Sequence, residues 1–147
     1  MNATHRPATL ADADQLFDIR RRSITALATK KMPIAEAEAW ASTLTAAGME
    51  KKLRDLEIWV VEVGSAVVGW GAIRGDKLEG LYTDPVFAGR GIGTGLLRLL
   101  EGLMRERGIP SVRAEASSNA EEFYLRRGYE PTGARTPDGA QPISKQL

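Results

Sequence analysis

Seven residues, Gly89-Arg90-Gly91-Ile92-Gly93-Thr94-Gly95, separate an extended segment from a run in which Ile92, Leu96, Leu99, Leu100, Leu103 and Met104 recur at helical spacing. The spacing predicts one long helix over 91–107, ended by Gly108 and Pro110. The glycines therefore sit at a helix start, where backbone N–H groups lack partners and the helix dipole contributes roughly half a positive charge. Such a turn attracts phosphate, because glycines let a ligand approach the backbone and Arg90 adds a full charge beside it. The competing reading is a purely structural turn, and the uninterrupted leucine-rich helix behind it argues against that.

Spacing rejects two common phosphate ligands. A triphosphate loop ends in Gly-Lys-Ser/Thr, and no lysine follows Gly93 or Gly95. A dinucleotide turn needs Gly-x-Gly-x-x-Gly, whereas Gly89 and Gly91 lead to Thr94, and Gly91 and Gly93 lead to Leu96. A dinucleotide fold would also open on strand, turn and helix, and the segments before this turn read as a strand meander.

In that meander Ile58 to Val63 is β-branched and aromatic, Gly64-Ser65 turns, Ala66 to Ile73 returns, and Gly75-Asp76 turns again. Lys77 to Thr83 then runs on until Asp84-Pro85 halts it. Upstream, Thr9 caps a predicted helix with Leu16, Ile19 and Ile24 on one face. Pro33 to Ala47 reads as a second helix, opened by Pro33 and closed by Gly48, with Ile34, Ala37, Ala41 and Leu44 at helical spacing. Downstream, Val112 to Ala116 is a short strand, Asn119 to Arg127 a short helix stopped by Gly128, and Tyr129 onward an extended, turn-rich tail. This order predicts a mixed sheet with helices on its faces.

Composition narrows the chemistry. A length of 147 residues fits one domain over 1–147, and 43% hydrophobic with 27% charged residues is ordinary for a soluble protein. No apolar run approaches the roughly 20 residues of a membrane helix. The N-terminal segment lacks the apolar stretch of a secretory signal, so the cytoplasm is the expected compartment. Without cysteine there is no protein thiol nucleophile, and one histidine argues against a multi-histidine metal site. A formal charge of +1 gives no general field for gripping nucleic acid.

The segment Asp84-Pro85-Val86-Phe87-Ala88-Gly89-Arg90-Gly91-Ile92-Gly93 resembles the acyl-coenzyme A loop of the GCN5-related N-acetyltransferase family, whose pattern is Arg/Gln-x-x-Gly-x-Gly/Ala after a strand. Ala88 stands where that family usually has arginine or glutamine, and it still offers its backbone amide. A second stretch, Glu115 to Tyr129, resembles the family's strand, asparagine, then Phe-Tyr-x-x-x-Gly-Phe/Tyr, here Asn119, Phe123, Tyr124, Gly128 and Tyr129. Both motifs in the right order are far more specific than either alone. The resemblance implies an α/β (α+β) fold, a mixed and mostly antiparallel sheet of roughly six or seven strands flanked by about four helices. It implies acetyl-coenzyme A as donor, no metal, and direct attack on the thioester by a primary amine of a small molecule or protein in a ternary complex. A homodimer through the sheet or tail is a family-level expectation.

The resemblance also implies roles. Leu81, Tyr82 and Thr83 would pair their backbone with the pantetheine arm, one N–H polarising the thioester carbonyl. Ala88, Gly89, Arg90, Gly91, Ile92, Gly93 and Thr94 would surround the pyrophosphate. Asn119 would hydrogen-bond the pantetheine arm, or cap a helix, or both. Tyr124 would donate toward the leaving sulfur, against the plainer reading of a core aromatic beside Phe123. An alkylamine near pKa 10.4 is only about one part in two thousand neutral at pH 7, so its proton needs a destination. Glu79 and Glu115 are the candidate bases, each on a strand and flanked by apolar residues that could raise its pKa. An ordinary exposed glutamate, a water-mediated base and a weakly basic acceptor stay open.

Arg126 and Arg127, near where the family meets the 3′-phosphate, read as a solvated helix face. His5 reads as a strand-edge residue, and Trp40, Trp59 and Trp70 as core or pocket wall. Substrate identity is expected to reside in Arg20 to Leu44. The alternative function is a non-catalytic acyl-coenzyme A sensor, motivated by Ala88; acetylation of aminoacyl-tRNA is disfavoured by the near-neutral charge.

Overall fold

The computed structural model describes residues 2–28 and 34–147. Its centre is a seven-stranded sheet in the order β1-β2-β3-β4-β5-β7-β6. Strands β1 (Ala3–Pro7), β2 (Glu57–Val63), β3 (Ala66–Arg74) and β4 (Lys77–Thr83) form the antiparallel meander, and β5 (Ser111–Ala116), β7 (Gln141–Gln146) and β6 (Glu130–Pro131) a second antiparallel group. The two groups meet in parallel through one residue pair, Lys77 with Arg113. The expected mixed, mostly antiparallel sheet is present, with His5 on its edge strand β1.

β2 and β3 are apolar on both faces because both are covered. Helix α4 (Ile92–Glu106) packs Leu96, Leu97, Leu100 and Met104 on Val61, Val68, Ile73 and Leu78. Helices α1 (Ala13–Ala28) and α3 (Ala46–Asp55) bury Leu16, Ile19 and Met49 on Ile58, Val60, Trp70 and Ala72. The Trp70 indole N–H donates to the Leu16 carbonyl at 2.9 Å, tying α1 to the sheet. Gly71 lies under α4: a Cβ there would stand 2.8 Å from Leu100 Cδ1, so any side chain would force the Leu100 side chain to shift.

Among the described residues three α-helices stand where two were expected before the meander. The helix read over Pro33 to Ala47 is α2 (Ile34–Ala41) followed by a break and α3; Pro33 lies outside the described residues. Hydroxyls make the break. Ser42 and Thr43 donate back to the carbonyls of Ala39 and Trp40, both at 2.7 Å, and the Thr45 side chain accepts from Gly48 N at 3.0 Å. Gly48 therefore lies in the first turn of α3 and closes no helix. The helix read over Asn119 to Arg127 is shorter, α5 (Glu121–Leu125), since Ser117 O first accepts from both Ala120 N and Glu121 N. Among the described residues no helix is long and apolar enough to cross a membrane.

Ion pairs fasten the periphery. Arg6 joins Asp12, at 2.8 and 2.9 Å, and Glu62; Arg107 grips Glu57 at 2.6 and 2.9 Å. These guanidiniums hold the Asp12 and Glu57 carboxyls below their ordinary range, as Arg22 does for Asp84. A carboxyl with a depressed folded pKa lends stability above its unfolded pKa and loses it as pH falls through the folded value. The melting temperature is accordingly expected to stay level from about pH 7 to 5 and to fall progressively below about pH 4. Thermal melts across that range check this, and a flat profile down to about pH 2.5 would refute it.

Candidate active site

β4 and β5 part after Lys77 and Arg113, and a cavity of about 100 Å³ opens between Leu78–Tyr82 and Ala114–Ser117. Trp40 of α2 and Tyr124 of α5 complete its wall. β4 carries a bulge there: Ala72 opposes Gly80 while Ile73 opposes Leu78, so Glu79 has no ladder partner on β3. Glu79 and Glu115 both line the cleft, so the two candidate bases are brought together. Their surroundings differ from the apolar ones expected. The bulge turns Glu79 toward Arg74, at 3.3 Å, and Lys77, at 3.9 Å. Glu115 alternates outward from the buried Ala114 and Ala116 and is exposed.

Tyr124 is buried between Phe123 and Tyr129, with ring centroids at 5.2 and 5.3 Å, yet it also lines the cleft. Burial above all, and the neighbouring Tyr82, push its hydroxyl above the usual phenol range, so it is a protonated donor at neutral pH. Among the described residues no side-chain N or O sealed from solvent lacks a partner. The Tyr124 hydroxyl has no hydrogen-bond partner among those residues, so it opens onto the cleft.

The glycine loop leads from the cleft into α4. Asp84 ends β4, its side chain accepting from Val86 N at 3.0 Å, and a single 3-10 turn over Pro85–Phe87 follows. Arg22 of α1 binds both Asp84 oxygens, at 2.8 and 3.0 Å, and fixes that corner. Gly89 and Gly91 have φ of 77° and 80°, with open space where a Cβ would stand. α4 starts with neither a side-chain cap nor an acidic residue in its first turn, leaving its N–H groups free for an anion.

The family described as "Acetyltransferase (GNAT) domain" matches residues 25–139. The chain belongs to the GNAT acetyltransferase family. It is an acetyl-coenzyme A-dependent acetyltransferase. It is 26% identical over 119 residues, 81% of this chain and 75% of the relative, to the uncharacterized N-acetyltransferase YafP of Escherichia coli K12. The GCN5-related N-acetyltransferase "Aminotransferase, Class-II" of Rhodopseudomonas palustris superposes with a TM-score of 0.93 at 28% identity, covering 100% of this chain and 97% of that one. PaiA N-acetyltransferase of Thermoplasma acidophilum, solved with coenzyme A, superposes with a TM-score of 0.84 at 20% identity over 100% of both chains.

Of the other positions of this acetyltransferase, Arg127 and Asn119 depart from expectation, while Arg126 and the three tryptophans follow it. Arg126 is exposed and paired to Glu122, but Arg127 is no solvated face residue. Its guanidinium lies 3.8 Å from the Phe123 ring centroid and donates to Thr94 Oγ1 at 2.7 and 3.0 Å, clamping α5 onto the start of α4. Asn119 does not occupy the cap position of α5, which falls to Ala120; its Oδ1 accepts from Ser117 Oγ at 2.7 Å. Trp40 is half-buried against the cleft, Trp59 partly buried and Trp70 buried.

Sequence reasoning gave Arg20 no role of its own. It is buried, packs beside the Tyr82 ring at 5.8 Å, and donates to Thr43 Oγ1 at 3.2 Å. The signal was present: Leu16, Ile19, Arg20, Ser23 and Ile24 share one helical stripe, and a cation inside an apolar stripe marks a buried charge.

Proposed function

We propose that the chain acetylates the amine of a small molecule in a ternary complex, the amine attacking the thioester inside the β4–β5 cleft. The observation that carries this is the junction of an open glycine turn with a cleft into which one protonated tyrosine opens. Backbone N–H groups of Gly89 to Thr94 would hold the pyrophosphate, with Arg90 alongside and the amide of Ala88 in place of a side-chain contact. A cavity of about 590 Å³ lined by Arg98, Arg105, Arg127 and Lys145 adjoins Thr94 and suits the remaining phosphate. Leu81, Tyr82 and Thr83 present the backbone edge that β5 leaves unpaired, and Asn119, between β5 and α5, would hydrogen-bond the pantetheine arm. Bound acetyl-coenzyme A supplies the activated acetyl group; Tyr124 then donates a hydrogen bond where sulfur charge develops.

Glu115 attracts the ammonium form of the acceptor, whereas the charge of Glu79 is shared with Arg74 and Lys77. Glu115, exposed and without an ion pair among the described residues, is open to receive its proton directly or through one water. The absence of cysteine agrees with direct transfer, and dependence on acetyl-coenzyme A suits the cytoplasm.

The test is a melt with acetyl-coenzyme A, coenzyme A, ATP and NAD at saturation. A ligand at about 100 times its dissociation constant adds roughly 2.7 kcal/mol, a shift of several degrees. Stabilisation by the coenzyme A species alone is expected. No shift with them, or a larger one with ATP or NAD, would end the donor-site assignment.

A further inference from the structure

Three buried charged side chains stand out among the described residues, and two have a partner of opposite charge. Asp12 is bound by Arg6 and Glu101 by Lys145. Arg20, 8% exposed, has none. Its one hydrogen bond, to the neutral hydroxyl of Thr43, leaves most of the guanidinium's donors unused. Thr43 is itself held, donating to Trp40 O at 2.7 Å. The Arg20 guanidinium faces the Tyr82 ring, and both Tyr82 and Trp40 wall the cleft. Lys52 stands close enough that burial, then the charge of Arg20, holds its amine below the ordinary range, while Glu79 pulls the other way. A guanidinium removed from water is costly unless an anion meets it, and a second cation nearby adds repulsion. Arg20 stands behind Tyr82 and does not itself line the cleft, and a small oxyanion reaching it past Tyr82 would relieve both costs. The planar fork matches a carboxylate through two parallel hydrogen bonds.

We propose that Arg20, positioned by Thr43, binds the carboxylate of the acceptor, so that the amine acetylated belongs to a small amino-carboxylate. Glu115 would then face the ammonium end, giving the cleft opposite charges for a zwitterion. This rests on the acetyl-transfer reading of the same cleft.

Two measurements test it. In the first, thiol release is followed for amino acids paired with the amines lacking their carboxylate: phenylalanine against phenethylamine, lysine against cadaverine, with O-phosphoethanolamine as a phosphate-bearing control. At least one carboxylate-bearing acceptor is expected to lead its partner by roughly thirtyfold or more in kcat/KM, through KM, the size of a buried charge contact. Arg20→Met is expected to bring that ratio near one, Arg20→Lys to keep part of it, and Thr43→Val to give an intermediate ratio should Arg20→Met fold poorly. A wild-type ratio near one in every pair, equal losses for both members of a pair in the variants, or a preference for the phosphate-bearing amine would overturn the proposal.

The second measurement needs no turnover. Melts of the coenzyme A-saturated protein with N-acetylphenylalanine and N-acetylphenethylamine should show stabilisation by the carboxylate-bearing compound alone, lost in Arg20→Met. If no amine is acetylated yet this stabilisation appears, the transfer reading fails and the carboxylate site stands; if it is absent and no pair shows a preference, the site falls.

Discussion

Replacing Tyr124 with phenylalanine is expected to lower kcat about ten- to a thousandfold while leaving the KM for acetyl-coenzyme A within about threefold. The change removes one hydroxyl and keeps the ring that packs on Phe123 and Tyr129, so folding is little affected. A free phenol near pKa 10 is already a weaker acid than a thiol near 8.5. Burial pushes Tyr124 further up, which makes full proton transfer uphill and leaves hydrogen bonding to developing sulfur charge as its contribution. The same shift fixes a sign: ionisation of Tyr124 should cause no loss of rate between about pH 7 and 10. Thiol release at saturating donor and acceptor measures both effects. A loss below about threefold would remove Tyr124 from the chemistry.

Lys145→Met is expected to cost about 2–3 kcal/mol of stability, a drop of roughly 5–10 °C in Tm. Glu101 is buried on α4, and its carboxylate accepts from Lys145 Nζ at 3.1 and 3.2 Å and from the Tyr129 hydroxyl at 2.7 Å. Methionine fills a similar volume but leaves the buried charge one donor short. The figure sits below the cost of breaking a fully buried pair because Tyr129 remains and the Lys145 side chain is 23% exposed. Urea unfolding with an unchanged slope would place the loss in the folded state, and a change below about 0.5 kcal/mol would show the pair to be ornamental.

Elements governed by local periodicity were legible in the sequence: the leucine spacing of α4, the β-branched strands of the meander, the Thr9 start and the glycine turn. The break between α2 and α3 was not, because Ala41 and Leu44 carry the apolar spacing across it while hydroxyls of Ser42, Thr43 and Thr45 end one helix and begin the next. The bulge at Glu79 escaped because a one-residue slip leaves no mark in a strand containing Gly80. The candidate bases were found by strand position, but the cations around Glu79 belong to the β3–β4 hairpin ends, and the open side of Glu115 follows from alternation on a half-covered strand. Contacts between distant positions, such as Arg127 with Thr94 and Lys145 with Glu101, had no sequence signature.

One helix touches both the glycine turn and the cleft. Arg22 of α1 anchors Asp84 at the corner that begins the glycine turn, and Arg20, two residues earlier, stands against Tyr82 of the cleft wall. A displacement of α1 is therefore felt at both places, and if donor and acceptor bind there as proposed, their two equilibria share a free energy. By thermodynamic linkage, whatever factor the donor exerts on acceptor affinity, the acceptor returns to the donor.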